Sequence, residues 1–221
     1  MKIFRVLSLL CCIALALACA KEDSQEKSQE KSYNYEAVFI GDSITANWRN
    51  SDKGGHPEFF TSNKFLAMGY SGKTTASLMK LFKASVIKEK PRQVVILAGI
   101  NDVAQNDGEY VSNEKIVENL AWMANEATKN GIRVVLCSVT PSTAFWWSSG
   151  VSKPAPIIVE LNKLIKALAE EKGYAYADYH SALKNGSDGI SSTYSNDAVH
   201  PNSAGYTVME GIILPILQAY K

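Results

Sequence analysis

Ser43 stands in Gly41-Asp42-Ser43, directly after the apolar run Ala37-Val38-Phe39-Ile40, while Asp197 and His200 stand three residues apart near the other end of the chain. A serine hydroxyl is a weak nucleophile at neutral pH. It needs a base within hydrogen-bond reach and a third group that holds the base in the right tautomer. Asp197-Ala198-Val199-His200 meets both needs on one turn of chain, because residues three apart in a helical or tight-turn conformation point the same way. The chain has 3 histidines, so the rivals for the base are His56, in Gly54-Gly55-His56-Pro57, and His180, which follows Asp178-Tyr179. Taken singly, Ser43 is equally compatible with capping a helix, and His200 with a surface loop. The combination points to a serine hydrolase.

Acyl transfer also needs donors aimed at the oxygen that becomes negative. Gly72 in Tyr70-Ser71-Gly72-Lys73 lets a backbone N–H approach a substrate closely, and the Asn101 amide in Gly99-Ile100-Asn101-Asp102 can donate a second bond. With the Ser43 N–H they would form an oxyanion hole. Gly69 competes with Gly72 for this role, and the Ser-Gly-x-Thr-Thr context favours Gly72. Candidates for lining the substrate site are Asp42, Lys73 and the adjacent aromatics Phe145, Trp146 and Trp147 in an otherwise polar loop. Aromatic faces there suit a sugar ring or an acyl chain, and packing the loop onto the domain is the alternative use for them.

These residues must be positioned by the elements between them. Apolar, β-rich runs occur at 37–40, 64–68, 93–97, 133–139 and 174–177, with helical patterns at 77–88, 115–130, 157–172 and 204–219. Within 115–130, Ile116, Leu120, Met123 and Ala127 recur at helical spacing, and Gly131 and Gly173 stand where C-terminal caps belong. Runs apolar on both faces and separated by helices predict a parallel sheet between helix layers, a three-layer α/β/α domain. Sites in such sheets form at the carboxyl ends of the strands. Ser43, Gly72, Asn101 and the aromatic loop each follow such an end.

The blocks Phe39-Ile40-Gly41-Asp42-Ser43-Ile44-Thr45, Tyr70-Ser71-Gly72-Lys73-Thr74-Thr75, Gly99-Ile100-Asn101-Asp102 and Asp197-Ala198-Val199-His200-Pro201-Asn202 resemble, in order, the four blocks of the SGNH (GDSL) hydrolase family. The resemblance implies Ser43 as nucleophile, His200 as base, Asp197 as its orienting partner, and Ser43, Gly72 and Asn101 as the oxyanion hole. It also implies a flavodoxin-like fold with five parallel strands in the order 2-1-3-4-5, and no cofactor or metal. Ile44 replaces the family's leucine, Ala67 and Met68 stand where many relatives have Asn-Arg, and Lys73 replaces a commonly acidic or amide residue. Exported relatives often deacylate carbohydrates. The expected reaction is therefore hydrolysis of acetyl or other short acyl esters on carbohydrate. Lysophospholipase, broad carboxylesterase and thioesterase activities are the alternatives, and a non-catalytic glycan-binding lipoprotein is the rival from a different class.

The N-terminus bounds where this chemistry happens. A basic start, Met1-Lys2-Ile3-Phe4-Arg5, precedes an apolar stretch from 6 to 18, too short to span a bilayer comfortably and built like a signal peptide. Ala16-Leu17-Ala18 suits ordinary signal peptidase, and Leu17-Ala18-Cys19 resembles a bacterial lipobox with Cys19 as the lipidated residue. Residues 1–18 are thus expected to be a leader and 19–35 a polar tether, with its Ser-Gln-Glu-Lys repeat at 24–31. Residues 36–221 are the expected hydrolase domain of an exported bacterial lipoprotein, periplasmic or anchored at the outer membrane or cell surface by its lipid. Loss of Lys2 and Arg5 takes the net charge from +1 to −1, without the basic footprint of a nucleic-acid binder. Cys137 would be the domain's lone cysteine, so no disulfide forms within it, and its apolar run marks it as core rather than nucleophile.

Overall fold

The computed structural model describes residues 32–148 and 150–219. The expected leader, Cys19 and all of the expected tether before residue 32 lie outside the described residues. Tyr33–Tyr35, assigned above to the tether, are instead tied to the domain. Lys64 Nζ donates to the Tyr33 carbonyl, Arg92 N–H donates to the Tyr35 carbonyl, and the Arg92 guanidinium lies 4.7 Å from the Tyr33 ring centroid.

The elements run β1 Ala37–Gly41, α1 Ser43–Trp48, α2 Pro57–Ser62, β2 Phe65–Gly69, α3 Thr75–Phe82, β3 Gln93–Leu97, α4 Ile100–Val103, α5 Asn113–Lys129, β4 Arg133–Cys137, α6 Pro154–Lys172, β5 Ala175–Ala177, α7 Tyr179–Leu183 and α8 Ser203–Gln218. All five strands are parallel, in the order β2-β1-β3-β4-β5. Every residue of β1 and β3 is buried, as continuous apolar runs in central strands require. From β1 the chain steps outward to β2, then recrosses β1 to reach β3 and the strands beyond. Right-handed crossovers consequently put helices on opposite faces. α5 packs against α3 and α6 on one face, and the Trp48 ring of α1 stacks on Tyr206 of α8 on the other.

Two boundaries differ from the sequence expectation for identifiable reasons. β4 ends at Cys137 with Ser138 N–H still donating to the Ala177 carbonyl of β5, and at Val139 the Asn162 side chain takes over. Its Oδ1 accepts from Val139 N–H at 2.7 Å and its Nδ2 donates to the Val139 carbonyl at 2.9 Å, in place of a strand. The helix expected at 77–88 ends as an α-helix at Phe82 and continues as one π-helical turn over Lys83–Ile87. The short helices α1, α2, α4 and α7 are too brief to show a 3.6-residue period in the sequence. Two of them carry the site.

Candidate active site

β1 ends at Gly41, Asp42 caps α1 by accepting from Ile44 N–H at 2.9 Å, and Ser43 is the first helical residue. By position its N–H has no intrahelical acceptor. The helix sits low on the strand ends because two glycines let it. A Cβ at Gly69 would fall 2.0 Å from the Ala46 nitrogen, and one at Gly41 would fall 2.4 Å from the Thr45 Oγ1. Gly69 is thereby accounted for as a packing residue.

His200 reaches Ser43 from the far end of the chain. Its Nε2 lies 2.9 Å from Ser43 Oγ, and its Nδ1 lies 2.7 Å from Asp197 Oδ2. The other carboxylate oxygen, Asp197 Oδ1, accepts from Val199 N–H at 2.9 Å and His200 N–H at 2.7 Å, which closes the turn. The turn requires Ala198 at φ 65°, in the left-handed region that costs a residue with a Cβ about 1–2 kcal/mol. Partial burial pushes the Asp197 carboxyl up, but the bonds from the His200 ring and from the His200 and Val199 amides outweigh it and hold the group below its ordinary range. An ionised carboxylate only accepts, so Nδ1 carries the proton and Nε2 is left to accept from the Ser43 hydroxyl. That polarity lets the Ser43 hydroxyl hand its proton to the ring.

The loops after β2 and β3 close on each other beside Ser43. Gly41 is in register with Gly69 on one side and Leu97 on the other, so the loops after these three strands leave the sheet at one level. Gly72 has φ 75°, open to glycine without strain, and its N–H has no protein acceptor among the described residues. Asn101 is buried in the first turn of α4, where its Nδ2 donates to the Lys73 carbonyl at 3.1 Å and keeps a second N–H for a ligand. The next residue, Asp102, reaches across to the first residue of α3, accepting from both the N–H and the hydroxyl of Thr75. Burial raises its carboxyl to about 6.

A residue that the sequence did not single out joins these loops. Asn106 Nδ2 donates to Asn101 Oδ1 at 2.9 Å and to the Gly72 carbonyl at 3.2 Å, and its Oδ1 accepts from Trp147 Nε1 at 2.8 Å. A lone asparagine in a polar loop carries no periodic or motif signal, and only the fold reveals its partners.

The expected substrate-lining residues divide. Asp42 is 1% exposed and Phe145 is 4% exposed, so neither lines an open site: the first is committed to the α1 cap and the second packs into the core. Burial pushes the Asp42 carboxyl up to about 7, against the pull of the Ile44 N–H and His200. Lys73 is exposed beside Gly72. Trp147 is half-buried against Phe145 and bonded to Asn106. Trp146 is 73% exposed and walls a cleft of about 440 Å³ whose lining includes Asn47, Asp52, Lys53, Asn196 and His200.

Neither other histidine faces Ser43. His56 sits between Glu210 Oε1, 2.9 Å from its Nδ1, and Ser203 Oγ, 2.8 Å from its Nε2, joining the segment before α2 to α8. His180 is buried, which lowers its pKa, and its main-chain N–H donates to Ser138 Oγ. Cys137 is buried with its thiol pushed up to about 12 by that burial, the opposite of nucleophile activation. Among the described residues, no group of three or more His, Cys, Asp or Glu is placed to hold a metal ion.

Comparison with known proteins agrees with this geometry. The GDSL-like Lipase/Acylhydrolase family profile matches residues 39–208. A GDSL-like lipase from Bacteroides thetaiotaomicron superposes with a TM-score of 0.80 at 33% identity, over 84% of this chain and 88% of that one. Axe2, an acetylxylan esterase from Geobacillus stearothermophilus, shares the fold with a TM-score of 0.66 at 20% identity, over 84% and 95% of the two chains. The uncharacterized lipoprotein YqeF of Bacillus subtilis is 33% identical over 78 residues, which is 34% of this chain and 32% of YqeF. The chain belongs to the GDSL-like lipase/acylhydrolase family, and it is a carboxylic ester hydrolase.

Proposed function

We propose that this enzyme removes acetyl or other short acyl groups from carbohydrate through an acyl-enzyme on Ser43. The observation that carries the mechanism is the continuous Ser43–His200–Asp197 hydrogen-bond relay. Ser43 Oγ attacks the ester carbonyl carbon as its proton passes to His200 Nε2, and Asp197 stabilises the resulting imidazolium. The N–H groups of Ser43 and Gly72 and the Asn101 amide hold the oxyanion. On collapse the C–O bond breaks, and the departing alcohol takes the proton from His200. Water then repeats the sequence on the acyl-serine and releases the carboxylic acid.

Because His200 protonates the alcohol, the alcohol half of the substrate sits on the histidine's side of Ser43. The cleft there presents amides, Asp52, Lys53 and the exposed Trp146 face, a lining suited to a hydroxyl-rich ring rather than an alkyl chain. The acetylxylan esterase activity of Axe2, a protein of the same fold, agrees with this choice. Export and lipidation at Cys19, after a leader of residues 1–18, would place the domain beyond the cytoplasmic membrane, and the match to the lipoprotein YqeF supports it.

Initial rates on acetylated xylo-oligosaccharides, acetylated monosaccharides, long-chain lysophospholipids and acyl thioesters test the substrate class. Preference for the lipid esters would overturn the carbohydrate assignment. A fluorophosphonate probe tests the mechanism: it should label the wild type and leave Ser43→Ala unlabelled. A folded protein that binds glycans with Ser43 unmodified would instead be a binding module. Loss of palmitate incorporation in Cys19→Ala cells checks the anchor.

A further inference from the structure

Asn106 lies outside the residues assigned above, yet its amide is fully used within the site. Its two N–H groups go to Asn101 Oδ1 and the Gly72 carbonyl, and its oxygen takes the Trp147 indole N–H. Its own main-chain N–H donates to the Asn101 carbonyl at 3.0 Å, so residues 101 and 106 are joined through both backbone and side chain. Gln105, just before it, is held at φ 58°, a left-handed conformation accepted where the turn aims the next residue. The next residue, Asp107, takes the Thr74 hydroxyl at 2.6 Å, which fastens the same turn to the loop after β2 a second time.

The orientation of this amide is dictated by its partners. Turned by 180°, its NH₂ would face the Trp147 N–H, donor against donor, and its oxygen would face the Gly72 carbonyl, acceptor against acceptor. The polarity propagates. With Asn106 donating to Asn101 Oδ1, the Asn101 oxygen is occupied and its NH₂ points to the Lys73 carbonyl and to the substrate. The Lys73 carbonyl already disfavours a reversed Asn101 amide, acceptor against acceptor, and the Asn106 donor is the second lock: without it, one 3.1 Å hydrogen bond is left to keep Asn101 from turning its oxygen to the developing oxyanion, where it would repel rather than stabilise.

We propose that Asn106 is a positioning residue that fixes the Asn101 amide with its donor face toward the substrate, and that Trp147 sets the polarity of Asn106. This rests on Asn101 acting as an oxyanion donor, as proposed above. Three loops, following β2, β3 and β4, are thereby held in one arrangement by a single side chain. The aromatic loop contributes to the reaction centre through Trp147 without touching the reacting atoms.

A double-mutant cycle on p-nitrophenyl acetate hydrolysis tests it, with Asn101→Ala, Asn106→Ala and the double variant. Asn106→Ala should lower kcat by roughly tenfold or more with KM within about twofold, and should add less than about twofold to the loss already present in Asn101→Ala. Asn106→Asp keeps the acceptor for Trp147 but loses both donors and adds charge beside the hole, so its kcat should fall below that of Asn106→Ala. Trp147→Phe, which removes only the indole donor, should lower kcat in the same direction by less. Equal losses from Asn106→Ala in the presence and absence of Asn101 would overturn the inference, as would a kcat loss matched by KM and reversed by lowering the assay temperature, which marks a merely structural role. If Asn101→Ala itself left kcat unchanged, the oxyanion assignment would be the one to fall, and this inference with it.

Discussion

The Tyr206 hydroxyl donates a 2.9 Å hydrogen bond to the Ile44 carbonyl, joining the residue after Ser43 to the helix that begins three residues after His200. Ser43 and His200 are 157 positions apart in sequence, and their 2.9 Å contact depends on α1 and α8 keeping a fixed offset. Trp48 supplies a second tie, stacking on Tyr206 and donating to Glu210.

Tyr206→Phe should therefore act on both stability and catalysis. It keeps the ring packing and removes one of two hydrogen bonds to the buried Ile44 carbonyl, which retains its helical bond from Trp48 N–H, a cost of about 0.5–1.5 kcal/mol. Urea denaturation measures that loss. If kcat is unchanged while stability falls, the two helices hold their offset without this bond.

Asn101→Ala removes one of the proposed oxyanion donors and should lower kcat by about 10²–10³ with little change in KM. Deacylation, followed after the initial burst on an activated ester, should slow with acylation because both steps pass through the same oxyanion. A loss confined to KM would move Asn101 from oxyanion binding to ground-state binding.

Much of this site was legible in the sequence because it rests on contiguous motifs at strand ends. Ser43, Gly72 and Asn101 each lie in a short block just after β1, β2 or β3, and Asp197 and His200 share one block just before α8. Asn106 was not legible, since its meaning comes from contacts with Gly72, Asn101 and Trp147 that only the crossovers bring together. Asp42 and Phe145 were misplaced for a related reason. Adjacency to Ser43 or Trp146 says nothing of which way a side chain turns, and one turns into a cap while the other turns into the core. The ends of β4 and α3 were blurred by Asn162 standing in for a strand and by one π-helical turn, neither of which alters local composition.

Ala198 offers a test of the catalytic turn. Its side chain is exposed and its φ is positive, so Ala198→Gly should be tolerated in the same conformation, whereas a β-branched residue there is strained by about 1–2 kcal/mol or more. Ala198→Val should lower kcat by displacing the Asp197–His200 pair, and Ala198→Gly should retain most of it. Equal activity in both variants would show that the turn can relax without loss of the relay.

Asp42 should leave a mark on the pH dependence of stability. Its folded pKa of about 7 lies above its ordinary value of 3.8, so between these pH values the native state keeps a proton that the unfolded chain has released. The native state's advantage falls as pH rises through this window and levels off above about 7, by an amount on the order of a few kcal/mol. Asp42→Asn mimics the protonated group and keeps an oxygen for the Ile44 N–H. Its stability relative to wild type should rise from pH 5 to pH 8 in urea titrations. Parallel pH curves would mean that Asp42 ionises in the folded state much as it does in the unfolded chain.

Trp146 separates the alcohol side of the site from its chemistry. With 73% of its surface exposed, its removal should cost the fold little, while a sugar ring stacked on it would lose about 0.5–1.5 kcal/mol, roughly a two- to tenfold change in binding. Trp146→Ala should raise KM for acetylated xylo-oligosaccharides by that factor with kcat nearly preserved, and should change hydrolysis of p-nitrophenyl acetate much less because the aryl group is too small to span the cleft. The contrast between substrates carries the result. A uniform loss on both would place Trp146 with the catalytic loops, and improved hydrolysis of long-chain lipid esters would assign the cleft to an acyl or alkyl chain.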